Sequence, residues 1–193
     1  SLYPDIFGET FQTTMLNLAI DRHFEKEYDN FCTDVKKIKT LSLFFIDSIQ
    51  SFRDDGFLRQ EFERLLKEKL NALIEKYQKS KLRHEKEYAD YLSFSLANLK
   101  KTIAGYFAED NNTDSDEVRQ EVDKVLRQKD EIIKIKTENG EWEPTRFIFS
   151  KWTLKEGWDN PNIFVIAKLR SSGSETSKLQ EVGRGLRLPV DEL

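Results

Sequence analysis

An α/β domain built around a mainly parallel sheet, with helices flanking it, is predicted by three features of the 193-residue sequence. Short, almost wholly apolar runs recur at residues 41–46, 146–150 and 162–169, the pattern of strands buried on both faces. Stretches with helical apolar spacing lie between them, as crossovers between parallel strands require. Polar breaks punctuate the alternation at Asp54-Asp55-Gly56, over the Asp/Asn-rich residues 109–116, and at Ser171-Ser172-Gly173-Ser174.

In chain order, residues 8–30 read as a helix with Phe11, Met15, Leu18, Ala19 and Arg22/His23 at turns of three and four. LSLFFI at 41–46, ending at Asp47, is the first buried strand. A long helix follows the Asp-Asp-Gly break, with Leu58, Phe62, Leu65, Leu66, Leu70, Leu73, Ile74 and Tyr77 on one face and Glu and Lys crowding the other. A second helix, from about His84 to Leu99, carries Tyr88, Tyr91, Leu92 and Leu96. Together these exceed one crossover helix, so part of residues 58–100 reads as a helical insertion. Residues 102–107 suggest another strand, 109–116 a loop and 118–133 a helix. RFIFS at 146–150 and NIFVIAKL at 162–169 are two further buried strands, and Ser174 with Ser177 can start a last helix.

Composition narrows the class. Fourteen Phe, three Trp and six Tyr exclude a disordered acidic chain, and 193 residues suffice for one ordinary core. Cys32 is the lone cysteine and is expected to be a small buried hydrophobe; with no apolar run of membrane-spanning length, a reducing cytoplasm and no membrane association are expected. A start at Ser1 rather than Met suggests a processed or excised piece of a longer protein. The net charge of −4 is unevenly spread: residues 146–187 hold eight Lys/Arg against four Asp/Glu, in an otherwise acidic chain. Such an excess suits phosphates, and equally a solvated face. His23 and His84 are too few and too scattered for a metal site or a triad and are expected at the surface or at caps. Neither Asp54-Asp55 nor Asp114-Ser115-Asp116 has the glycine and distal glutamate of a calcium loop.

Two segments carry chemistry. Gln180-Glu181-Val182-Gly183-Arg184-Gly185-Leu186-Arg187 sets two arginines three residues apart behind a glutamine. Arginine stays charged in any environment and offers a planar fork of donors to phosphate oxygens, while Gly183 permits close approach. By itself an R-x-x-R pair reads first as a surface helix, here paired with Glu181 and Asp191; Gln180 and Gly183 in register, with the strand and turn before them, turn the reading toward phosphate contact. Twenty residues earlier, Glu156-Gly157-Trp158-Asp159-Asn160-Pro161-Asn162 joins two strands, in a connection of the kind where α/β folds place ligands. Alone it reads also as structural punctuation, with Trp158 filling core and Asp159 capping a turn. No G-x-x-x-x-G-K-[ST] phosphate loop occurs in the chain.

Taken together the two segments resemble the fifth and sixth motifs of superfamily 2 helicases and translocases: Gly157, Asp159 and Pro161 match the first, and Gln180, Gly183, Arg184 and Arg187 the second, Q-x-x-G-R-x-x-R at the opening of a helix. A closer resemblance, covering the predicted strands and the ends of the chain, is to the second motor domain of the Res (restriction) subunit of type III restriction-modification enzymes. It runs through Leu41-Ser42-Leu43-Phe44-Phe45-Ile46-Asp47, Gly105-Tyr106-Phe107, Arg146-Phe147-Ile148-Phe149-Ser150 and Lys168-Leu169-Arg170-Ser171 to Leu188-Pro189-Val190. Residues 58–100 add little to it.

The resemblance implies a RecA-like, P-loop NTPase-type domain spanning residues 1–193, the motor half of an ATP-dependent double-stranded DNA translocase or helicase, a hydrolase within a site-specific endonuclease. ATP and Mg would be held mainly by a first RecA-like domain of the same polypeptide, absent here along with the nuclease, and the Mod methyltransferase would be a partner. By the family pattern Arg187 is the arginine finger, Arg184 a second phosphate contact, and Gln180 an orienting residue. Gly157 and Asp159, with Gly183, would line the nucleotide cleft; Asp159 would repel phosphate and must serve hydroxyls or a cation. An arginine finger is typically worth about a thousand- to hundred-thousand-fold in rate. Two alternatives remain: the second motor domain of another superfamily 2 DNA repair or RNA helicase, and a non-catalytic module whose helical pair docks a partner.

Overall fold

The computed structural model describes residues 3–33, 35–106, 129–151, 161–169 and 178–181. Helix α1 (Tyr3–Phe31) leads through an extended loop into strand β1 (Leu41–Ile46), then α2 (Ile49–Phe52), α3 (Phe57–Gln78) and α4 (Arg83–Ala97). A 3-10 turn (Leu99–Thr102) feeds β2 (Ile103–Tyr106). After α5 (Lys129–Ile132) come β3 (Phe147–Lys151), β4 (Ile163–Lys168) and β5 (Lys178–Glu181). The sheet order is β2-β3-β1-β4-β5. The first four strands are parallel and β5 runs antiparallel to β4 at the edge.

Strand alternation sends side chains to two different cores. On one face Phe44, Phe147, Phe149, Val165 and Ala167 meet Leu16, Ala19, Ile20 and Phe24 of α1 and Phe62 and Leu66 of α3. On the other, Leu41, Leu43, Ile148 and Ile163 pack with Ile132 of α5. Apolar residues on both faces are what the runs at 41–46, 146–150 and 162–169 demand, so these strands lie where they were expected. Phe62 sits at the centre of the first core, its ring 5.3 Å from that of Phe44, 5.0 Å from Phe147 and 5.1 Å from Phe149.

Between α2 and α3 the backbone folds tightly on itself at Gly56. A Cβ there would run into the carbonyl oxygens of Ser51 and Gln50, which are backbone and cannot swing aside. Phe52 packs at 4.9 Å from Phe149, and Arg59 lays its guanidinium on Phe52 at 4.8 Å while its Nε bonds Glu63 at 2.9 Å. The turn after β1 is thus anchored from the core side.

The helices depart from the sequence reading in instructive ways. The buried stripe of α1 is Gln12, Met15, Leu16, Ala19, Ile20, His23, Phe24, Glu27 and Phe31, whereas Phe11 is 45% exposed. Three polar residues occupy that stripe, so apolar spacing alone misaligned the face. His23 is fully buried, not at a surface or cap as expected. The chain at Lys178–Glu181 forms a strand, not the start of a helix, because ladder bonds to the exposed edge of β4 compete with helix initiation there. Tyr3–Phe31 and Arg83–Ala97 extend or trim the predicted helices by a few residues. The predicted loop at 109–116 and most of the predicted helix at 118–133 lie outside the described residues.

Because Phe62 joins three strand phenylalanines at once, Phe62→Ala should cost about 3–5 kcal/mol of stability. Urea unfolding monitored by far-UV circular dichroism checks this, and a loss under 1 kcal/mol would contradict the packing described.

Candidate functional site

The amino ends of the parallel strands carry a dense polar cluster. His23 and Glu27, four residues apart on α1, project from one helix face toward Ser42 near the start of β1 and Arg146 just before β3. Arg146 is completely buried. Its Nε donates to Glu27 Oε1 at 2.6 Å, and its Nη1 to Ser95 Oγ at 2.5 Å and the Pro144 carbonyl at 3.1 Å. Its guanidinium lies 4.0 Å from the Tyr91 ring centroid. Tyr88 donates its hydroxyl to Glu27 Oε2 at 2.8 Å, and His23 Nδ1 lies 2.6 Å from Ser42 Oγ. The strand ends are stitched by backbone bonds as well, Ser42 N to Arg146 O at 2.8 Å and Arg146 N to Thr102 O at 2.9 Å.

Burial shapes the ionisation of every member. Desolvation pushes the Glu27 carboxyl upward, but the Arg146 charge and the bonds from His23 and Tyr88 outweigh it and hold Glu27 at about 2. Burial lowers His23, so the imidazole is neutral at pH 7 and its 3.7 Å approach to Glu27 through Nε2 is dipolar rather than ionic. For Arg146, Glu27, Tyr91 and Tyr88 overcome desolvation and raise the guanidinium. Beside this group Lys39, also buried, donates to the carbonyls of Lys134 at 3.2 Å and Glu143 at 2.5 Å. Burial, helped by the neighbouring Arg146, brings Lys39 down to about 7.

Hydroxyl, imidazole and carboxylate in sequence invite comparison with a nucleophilic triad. Three observations rule that use out. His23 and Ser42 have no exposed surface and Glu27 only 2%, leaving a substrate no approach. Glu27 is already committed to Arg146 and Tyr88. The cluster also lies at the amino edge of the sheet, opposite the edge where open α/β sheets bind ligands. It is a structural clasp between α1, α4 and three strands. The sequence reading missed it, although a charged residue at the head of an apolar strand and a His-Glu pair at i, i+4 among apolar neighbours were its visible traces. Cys32, expected to be buried, is half-buried against the core, and burial pushes its thiol up to about 12.

Of the residues predicted to carry function, Gln180 lies on β5, its Cα paired in register with that of Ile166 on β4. Gly157, Asp159, Gly183, Arg184 and Arg187 lie outside the described residues. The described elements still relate the two segments. The first connects β3 to β4 and ends at Pro161, so it delivers the chain into the very strand against which β5 pairs. Among the described residues no group of three or more His, Cys, Asp or Glu could hold a metal ion, and no helix is long and apolar enough to cross a membrane.

A parallel sheet flanked by helices, with β1 central and an antiparallel edge strand, is an α/β architecture of the RecA-like kind. Along its whole length the chain is a homologue of one segment of the Res subunits of type III restriction-modification enzymes. It is 53% identical to the StyLTI Res subunit of Salmonella typhimurium strain LT2, with all of this chain and 20% of that protein covered. It is 42% identical to the EcoPI Res subunit of Escherichia phage P1 and to the EcoP15I Res subunit of Escherichia coli, covering 19% of each. The chain therefore spans about a fifth of the length of the curated relatives it matches. No protein-family model matches it, and no solved structure does.

The ionisation of the clasp sets the pH response. Glu27 is held below its unfolded value, so its contribution is present in full above about pH 4.5 and is lost as pH falls through about 2. Glu27→Gln should flatten the acid limb of a stability profile in that window. It should also cost about 3–5 kcal/mol at pH 7, because Arg146 is left buried without its partner charge. Lys39 behaves oppositely: between about 7 and its unfolded value of 10.5 the folded state has released a proton that the unfolded chain keeps, so stability rises with pH there. Urea unfolding at pH 7 and 9 should show that gain in the native protein and its disappearance in Lys39→Met.

Proposed function

We propose that residues 1–193 form the second motor domain of an ATP-driven double-stranded DNA translocase within a type III restriction endonuclease, with the helical pair at 58–100 an elaboration of that domain. The observation that carries this reading is the end-to-end identity of 53% to a Res subunit, together with Gln180, Gly183, Arg184 and Arg187 standing in motif register. The parallel α/β sheet agrees with it.

In this reading the chain supplies one wall of an ATP site. Arg187 reaches the γ-phosphate and Arg184 a second phosphate oxygen, both answering negative charge that grows as the phosphoryl group transfers. Gln180 orients at the nucleotide, Gly183 and Gly157 let backbone come close, and Asp159 takes ribose hydroxyls or a cation. The donor set suits phosphate oxygens. It provides neither a phosphate loop nor a carboxylate pair for Mg, so ATP and Mg belong mainly to the first RecA-like domain of the same polypeptide. Opening and closing of the pair would move it along DNA, gripped through backbone phosphates because such motion ignores sequence. The methyltransferase (Mod) subunit supplies recognition of the DNA site, and the complex works in the bacterial cytoplasm.

In the complete polypeptide, Arg187→Ala should reduce ATP hydrolysis by about a thousandfold or more while a fluorescent ATP analogue still binds. Normal turnover at saturating ATP would defeat the finger assignment. The 193-residue chain alone should hydrolyse no ATP; steady turnover by the purified chain would overturn the idea that it holds only half of a site.

A further inference from the structure

Between α5 and β3 the chain turns back on itself in a small hairpin. Lys136 and Trp142 pair as an antiparallel bridge, Glu143 N donates to Ile135 O at 2.9 Å, and Thr137 N donates to Glu141 O at 2.8 Å. At the tip Gly140 N donates to Thr137 O at 3.0 Å, so residues 137–140 form a β-turn with Glu138 and Asn139 at its centre. Gly140 then takes φ +81°, a conformation that glycine adopts at no steric cost. The base of the hairpin is anchored. Lys39 Nζ donates to the carbonyls of Lys134 and Glu143, and the Trp142 ring lies 5.1 Å from that of Tyr91. The tip residues Glu138, Asn139, Gly140 and Glu141 are all exposed.

An asparagine followed by glycine is open to ring closure, because glycine puts no side chain in the path of its own main-chain nitrogen toward the asparagine amide. The structure separates Asn139 from the other asparagines. Asn30 donates Nδ2 to Thr40 Oγ1, Asn71 to the Lys67 carbonyl, Asn98 to the Phe94 carbonyl and Asn162 to the Lys39 carbonyl, each at 2.9 Å. Asn17 lies in the middle of α1, where the next main-chain N–H belongs to the helix ladder. Among the described residues Asn139 alone combines a main chain outside a helix with a side-chain amide that bonds nothing. A Cβ on Gly140 would meet nothing within 4 Å, so the space a ring needs is open. One bond holds the chemistry back: the Gly140 nitrogen, which must attack, is engaged to Thr137 O. That bond sits at an exposed tip, where opening is local and leaves the sheet undisturbed.

We propose that Asn139 is a self-modifying site, converted by water to aspartate and isoaspartate. When the turn opens, the Gly140 main-chain nitrogen gives its proton to solvent and attacks Asn139 Cγ. The N–Cγ bond forms, the Cγ–Nδ2 bond breaks, and Nδ2 takes up a proton and leaves as ammonia. Water then opens the resulting succinimide at either carbonyl, with no change of oxidation state. Both products add a carboxylate beside Glu138 and Glu141. Isoaspartate also lengthens the main chain by a methylene, so the bonds from Gly140 N to Thr137 O and from Thr137 N to Glu141 O lose their register. The base held by Lys39 and Trp142 stays in place, and the change loosens the tip alone.

The test incubates the complete polypeptide in mildly alkaline buffer and follows the tryptic peptide of residues 137–146 by mass spectrometry. Electron-transfer fragmentation tells isoaspartate from aspartate. This peptide should acquire the amide-to-acid mass increase at least tenfold faster than the peptides carrying Asn30, Asn71 and Asn162. Asn139→Gln, whose longer side chain closes a ring far more slowly, should abolish the increase and leave the melting temperature unchanged. A synthetic peptide of the same sequence, free of the bond to Thr137 O, should convert faster than the folded polypeptide. In the isoaspartate form the Thr137 amide hydrogen should exchange faster than in the native form, with exchange over residues 41–46 the same in both. A polypeptide still unmodified at residues 137–146 after the synthetic peptide has converted would overturn the proposal. Conversion of Asn30, Asn71 or Asn162 at an equal rate would also overturn it, since the turn would then confer nothing. Unchanged Thr137 exchange in the isoaspartate form would overturn the loosening of the tip.

Discussion

The bond between Glu27 and Arg146 is the constraint on which the rest of this domain depends. A guanidinium with no exposed surface is tolerable only if its charge is matched and its donors are used. Glu27 provides the match, and Ser95, the Pro144 carbonyl and the Tyr91 ring take up other parts of it. Since Glu27 comes from α1, Ser95 and Tyr91 from α4, and Arg146 from the head of β3, the pair fixes three elements that are far apart in sequence. Helix α1 cannot rotate or slide without leaving a charge stranded. Its rotational setting, with His23 under Ser42 and Phe11 turned outward, follows from that requirement.

The two edges of the sheet consequently differ in character. At the amino edge, Arg146, Lys39, Glu27 and His23 are buried and bonded to one another or to backbone, and the strand starts are joined by main-chain bonds. Within the cluster only His23 Nε2 and one Arg146 guanidinium nitrogen, Nη2, are buried without a hydrogen-bond partner, and neither is reachable from solvent. At the carboxyl edge the chain makes its connections after β1 and β3, and the anchored turn at Gly56 gives the first of them a fixed base. The buried clasp therefore occupies the amino edge, while the carboxyl edge is the one at which open α/β sheets generally bind ligands.

Legibility from the sequence was uneven for physical reasons. Strands β1, β3 and β4 were visible because burial on both faces forces continuous apolar runs, and α3 because one face is apolar and the other charged. The face of α1 was misread because a buried ionic cluster places Gln, His and Glu in positions that hydrophobic periodicity assigns to solvent. Strand β5 was missed because four residues at a sheet edge hold no pattern of their own; only the neighbouring β4 makes them a strand. For the candidate site, residue spacing nominates Gln180, Gly183, Arg184 and Arg187 with Gly157 and Asp159; of these the described residues include only Gln180, on β5, which pairs with β4.

The sequence by itself determined the class of fold and the family, since apolar periodicity reports burial wherever burial is simple, and matching segments spread along the chain report common descent. Tertiary structure alone decided the pairing of Glu27 with Arg146, the neutrality of His23 and the depressed protonation of Lys39. Those properties depend on low-dielectric contacts between residues separated by up to 119 positions. No local pattern encodes how deeply a charge is buried or which distant charge will meet it there.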